Sequence, residues 1–138
     1  VTETFEGGVI QIGKAVEGDV KFDLPPGHPD EGQDIAAYYL WLFPNMMFNF
    51  YPWGLSVNIV KPISINRTKV SFLTYIYDES KLHKGAGNDI DKVEREDEFI
   101  VENESRGIQS AFYQSGRFSP TREQGVHHFQ SLIAKFLK

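Results

Sequence analysis

Asp97 and Glu104 are the two residues of this sequence whose chemistry conflicts with their spacing. In "REDEFIVENESRG", residues 95–107, and its flanks, Ile90, Val93, Ile100 and Ile108 recur by threes and fours. That is the rhythm of a helix with one buried face, and the same steps land on Asp97 and Glu104. An ionised carboxylate in an apolar setting is costly unless it is neutralised, paired with a cation or bound to a metal. For Asp97 the pairing reading has Arg106, Arg117 and Arg122 as candidate partners, and the alternative is a metal or catalytic role. Glu104 lies near the helix end, within reach of water. By their spacing Asp91, Glu94, Glu98 and Glu102 fall mostly toward solvent.

The remaining chemistry-bearing residues form no pattern of their own. His28 sits in a Pro/Gly loop and His83 in a polar turn, while His127 and His128 are adjacent on a helix and diverge by about 100°. No H-x3-H or H-x4-H occurs, so a metal site complete within these residues needs distant ligands to converge. There is no G-x-S-x-G elbow, P-loop or G-x-G-x-x-G, and "GAGND" has no strand–helix context to cradle a phosphate. The absence of cysteine excludes disulfides, cysteine nucleophiles and cysteine-held zinc or iron–sulfur clusters in these 138 residues. No spacing selects a serine, histidine and acid trio.

The elements that must position Asp97 read as strands followed by helices. The 138 residues suffice for one domain, and 41% apolar with 14% aromatic residues mark a globular chain. Residues 1–35 are a Gly/Pro-rich irregular segment with one short strand in "GVIQIGKAV", and "DLPPGHPDEGQD" blocks both helix and ladder. From Ala36 onward, "YYLWLFPNMMFNFYP" reads as buried strand cut in two by Pro44 and Pro52. "LSVNIVKPI" puts Leu55, Val57 and Ile59 on a buried face with Ser56 and Asn58 opposite, and "SINR" turns it into the strand "TKVSFLTYIYD". Consecutive strands without helices between them imply an antiparallel meander. A helix then runs from about Asn88 to Ser105, with Asn88 or Asp89 as N-cap and Gly107 ending or bending it. A second starts at Ser119 and Pro120 and carries Val126, Phe129, Ile133 and Phe136 as its stripe.

A net charge of −5 argues against a nucleic-acid partner, which needs a basic face. No run is long and apolar enough to span a membrane, and no signal peptide is visible. A cytoplasmic protein is the expectation from this and from the lack of cysteine.

Two blocks of sequence carry a resemblance. "LFPNMMFNFYPWGLSVNIVKPISINRTKVSFLTYIYDE" is followed by ED-x4-E-x3-RG at residues 96–107 and by G-R-[FY]-S-P-x-x-E-x-x-[VI]-x-x-F at residues 116–129. Residues 36–138 thereby resemble the C-terminal part of the catalytic domain in Rieske-type aromatic-ring-hydroxylating oxygenase alpha subunits, in the branch of choline- and carnitine-type monooxygenases. The resemblance implies an α+β helix-grip fold of the START/SRPBCC kind, an antiparallel sheet around a long C-terminal helix. It also implies a mononuclear non-haem Fe(II) held by two histidines and one aspartate. The family's aspartate is the second member of an acidic doublet, which here is Glu96-Asp97, so the resemblance turns the reading of Asp97 toward metal.

The family's H-x4-H pair and Rieske [2Fe-2S] domain lie upstream of the matched region, so the expectation is a fragment that binds iron weakly or not at all and does not turn over. The complete protein is expected to take a small organic substrate, aromatic or quaternary-amine-like, with O2 and a ferredoxin or reductase donor, and to form a homo-oligomer. Met46, Met47, Phe48, Phe50 and Trp53 are the candidate substrate-pocket lining, though each also fits ordinary core. The competing reading is a non-enzymatic helix-grip module that carries an apolar small molecule. A third is a chain that folds by pairing its bare sheet edges with another copy.

Overall fold

The computed structural model describes residues 1–87 and 89–138, with Ile90 and Asp91 described through their backbone alone. Six strands in chain order form one antiparallel meander: β1 (Thr2–Phe5), β2 (Gly8–Lys14), β3 (Ile35–Leu42), β4 (Met46–Tyr51), β5 (Gly54–Ser64) and β6 (Arg67–Ile76). Two long helices follow, α1 (Ile90–Ile108) and α2 (Gln124–Phe136), after a single 3-10 turn at Glu79–Lys81. The α+β meander agrees with the alternation and turn residues of the sequence. The cuts at Pro44 and Pro52 fall between β3, β4 and β5, and "DLPPGHPDEGQD" holds no strand. The segment before Ala36 supplies two strands rather than one. β1, "TETF", was missed because a four-residue edge strand with three exposed side chains carries almost no apolar alternation.

Register decides which side chains share a face, because directly paired residues of antiparallel strands point the same way. One face carries the row Val9, Trp41, Met47, Asn58 and Phe72, and beside it the row Gln11, Tyr39, Asn49, Ser56 and Thr74. The other face carries Ile10, Leu40, Phe48, Val57 and Leu73. α2 lies on the first face, with the Phe129 ring edge-on to Trp41 at 4.7 Å and Phe136 tilted against Phe43 at 5.6 Å. At Gly125 the helix approaches β2 so closely that an added Cβ would stand 3.2 Å from Val9. The far face is covered at one corner where Phe22 and Asp30 from the loop before β3 meet Tyr38.

β5 is buried on both faces where its pattern predicts one, Val57 on the apolar side being 6% exposed. Ser56 and Asn58 are only 1% and 6% exposed, whereas Leu55 and Ile59 are half-buried. Glu94 of α1 reaches Asn58 on the polar side of this strand, and both polar side chains are enclosed. They satisfy each other, the Ser56 hydroxyl donating to Asn58 Oδ1 at 3.1 Å.

The helix ends differ from expectation by one turn or less at α1 and by more at α2. Asp89 caps α1, its carboxylate accepting from Lys92 N at 3.2 Å. The alternative cap, Asn88, lies outside the described residues. The helix runs through Gly107 and stops at Ile108. α2 begins five residues after Ser119 because Glu123 folds back, accepting the Ser119 N–H at 2.6 Å while its own N–H bonds Ser119 O. That closes a separate turn before the helix proper starts.

Candidate functional site

Asp97 stands on the exposed surface of α1, midway along the helix. The apolar residues of its stripe are open as well, with Val93, Ile100 and Ile108 exposed by 52%, 53% and 59%. The sequence places this stripe inward, but among the described residues it is left exposed, and the bond that joins α1 to the sheet is that of Glu94 with Asn58. No salt bridge among the described residues involves Asp97, so Arg106, Arg117 and Arg122 do not clasp it. A shallow groove beside it is lined by Lys92, Arg95, Glu96, Phe99 and Ile100.

The acid that reaches the sheet is Glu94, which spacing assigned to solvent. Its carboxylate accepts from Asn58 Nδ2 at 3.5 Å and is half-buried. It also faces Tyr51. Burial chiefly, then the neighbouring Tyr39 and Glu94, push the Tyr51 hydroxyl well above the ordinary phenol range, so it stays protonated. The Tyr51 ring stacks on Trp53 with centroids 5.1 Å apart and planes 12° from parallel. Its other neighbour is Gly87, where an added Cβ would stand 2.9 Å from the ring. Trp53 is fully buried, and its indole N–H is a buried donor without a hydrogen-bond partner among the described residues.

The five candidate lining residues do not share one cavity. Met46, Phe48 and Phe50 alternate onto the far face, Met47 onto the helix face, and Trp53 is enclosed behind Tyr51. Phe50 lines an open groove together with Phe22, Leu55, Tyr75 and Tyr77, on the side away from the helices. The residues that sequence reasoning missed are Ser56, Asn58, Tyr39, Tyr51 and Glu94. The alternation of "LSVNIV" contained the signal, but polarity in a strand reads as solvent until something is known to cover it.

The histidines stay apart. His128 Nε2 bonds Phe5 O at 2.8 Å, His127 packs edge-on to Phe118, and His28 Nδ1 accepts from Asp30 N at 3.0 Å. Among the described residues no three His, Cys, Asp or Glu side chains converge as a metal cage. Asp97 fits a ferrous site by donor type, an unpaired carboxylate suited to the two-histidine, one-carboxylate arrangement. The number of donors does not fit: the described residues supply one ligand and not a set.

The family profile of the ring hydroxylating alpha subunit, catalytic domain, matches residues 13–138. The chain belongs to that family. Its relatives include the chloroplastic choline monooxygenases of Arabidopsis thaliana, 33% identical over 74% of this chain, and of Spinacia oleracea, 32% identical over 99% of it. The choline monooxygenase of Beta vulgaris is 27% identical over 99% of the chain. The chain spans only 25% of the length of the Arabidopsis protein and 30% of the other two. No solved structure matches it. The match begins well before Ala36, so β3 and the loop before it lie within the matched region alongside the helices, and β2 only at its last two residues. Among the described residues no helix is long and apolar enough to cross a membrane. The expectation of a cytoplasmic protein has no support in relatives whose names place them in the chloroplast.

Proposed function

We propose that this chain is part of the catalytic domain of a Rieske non-haem iron oxygenase that hydroxylates a small organic substrate with O2. Residues 36–138 form the C-terminal part of a helix-grip domain, and Asp97 is the carboxylate ligand of its mononuclear iron. The observation that carries this reading is the family match over residues 13–138, which includes Asp97 in the doublet of the ED-x4-E-x3-RG motif. Iron supplies the activation of O2 when bound, with electrons from a ferredoxin or reductase through a Rieske [2Fe-2S] centre. This chain's own residues supply the walls. Asn49 and Thr74 offer polar contacts on the helix face, and Met47 is the pocket candidate that shares that face. Met46, Phe48, Phe50 and Trp53 then serve as packing. The choline monooxygenases among the relatives favour a quaternary-amine substrate over an aromatic ring.

The test is metal content and turnover in two forms of the protein. The 138-residue chain alone, titrated with Fe(II) without oxygen, is expected to show no stoichiometric binding and no substrate-dependent O2 uptake. A longer polypeptide that includes an H-x4-H segment is expected to retain iron and to consume O2 with a choline-like amine. A longer polypeptide that carries no iron but binds apolar molecules would instead support the carrier reading. Assembly into a homo-oligomer has its own observation, the open ten-residue edge strand β6 with Phe72, Leu73, Tyr75 and Ile76 exposed. Light scattering on a size-exclusion column tests it, and a well-folded monomer would contradict it.

A further inference from the structure

We propose that Glu94 is a positioning residue: held by Asn58, it sets the roll of α1 on the sheet and so the direction in which Asp97 projects. The consequence for iron rests on the reading of Asp97 as a ligand, while the geometry stands without it.

The docked line of α1 is polar. Among its described side chains only Glu94 and Ser105 are half-buried, and the rest are exposed. Eleven residues apart at 100° per residue, these two lie within about 20° of one line along the helix. Val93, Ile100 and Ile108 are turned from that line by roughly 40 to 120°. Apolar burial among the described residues therefore does not choose the roll of this helix, and the bond of Glu94 to Asn58 is left to do so.

What receives Glu94 is held rigidly. Asn58 is buried, and Ser56 occupies its amide oxygen, which leaves the Nδ2 end for the carboxylate. Tyr51 is clamped between Trp53 and the backbone of Gly87. Gly87 has φ of +74° and comes shortly before the helix, so the approach to α1 is packed against the Tyr51 ring. Asp97 follows one turn later, about 60° around the helix from Glu94. A roll of α1 of that size would move Asp97 either over the polar row or into open solvent.

The lack of cysteine makes a direct measurement practical. Spin labels on Glu102→Cys in α1 and Lys69→Cys in β6, both exposed sites, report the helix-to-sheet distance in the 138-residue chain. A narrow distribution is expected in the parent and a broad or shifted one in Glu94→Ala. Glu94→Gln should restore the narrow one, because its amide oxygen still accepts from Asn58, and Asn58→Leu should reproduce Glu94→Ala. A Glu94→Ala distribution superimposable on the parent overturns the proposal, as does a Gln variant no better than Ala. Amide protection in β2 to β4 is expected to stay unchanged, and its loss in Glu94→Ala would also overturn the proposal by making Glu94 a residue of global stability. Asp97→Ala is expected to keep the narrow distance. Failure of the ligand reading would appear elsewhere, as iron retained by Asp97→Ala in the longer protein.

Discussion

α1 and α2 are both amphipathic, yet they meet the same sheet face in opposite ways. α2 lays Phe129 on Trp41 and brings Gly125 against Val9, so its apolar stripe is spent on packing. α1 touches the sheet through a carboxylate and an amide and leaves Val93, Ile100 and Ile108 in the open. The surfaces beneath them explain the difference: Val9 and Trp41 under α2 are apolar, Ser56 and Asn58 under α1 are polar. The contrast teaches that an apolar stripe in this chain marks a surface for contact without saying that the contact is made within these residues. A helix that carries a candidate metal ligand is also the one left uncovered.

Substitutions can break or sharpen that contrast. The largest effect is expected where the rim supporting α1 is anchored: Trp53→Ala empties a fully buried site under Tyr51 and should cost about 3–5 kcal/mol in urea unfolding. Phe129→Ala removes the main contact of α2 and, because that ring is only half-buried, should cost about 2 kcal/mol by the same measurement. Gly87→Ala forces a side chain into a left-handed backbone and onto the Tyr51 ring, for about 1–2 kcal/mol, with a matching loss of amide protection at the start of α1. Ile100→Ala, chemically akin to the Phe129 change but on the open helix, should stay within about 0.5 kcal/mol of the parent. Should Ile100→Ala prove as damaging as Phe129→Ala, the two helices would not differ as described.

Most of the fold was legible in the sequence. Pro44, Pro52 and the alternation of "LSVNIV" and "TKVSFLTYI" delimit four strands, and the acid-rich start at Asp89 marks α1. The site was legible in part. Asp97 stood out because the spacing set a carboxylate on a face meant for burial, although the structure leaves that face exposed. Glu94 did not, because its importance comes from Asn58, thirty-six residues away in the chain. Ser56 and Asn58 were assigned to the wet side of β5 for the same reason: alternation separates two faces but does not name the one that a helix will cover. Ser119 and Pro120 carried a strong start signal for α2 that Glu123 overrode by closing a turn of its own.

The most direct test of the central claim is the iron content of the longer polypeptide with Asp97→Ala, measured beside its circular dichroism. The account predicts that bound iron is lost while the folded spectrum and unfolding midpoint stay at their parental values, because the side chain is exposed and makes no ion pair among the described residues. Iron retained at the parental stoichiometry would contradict it.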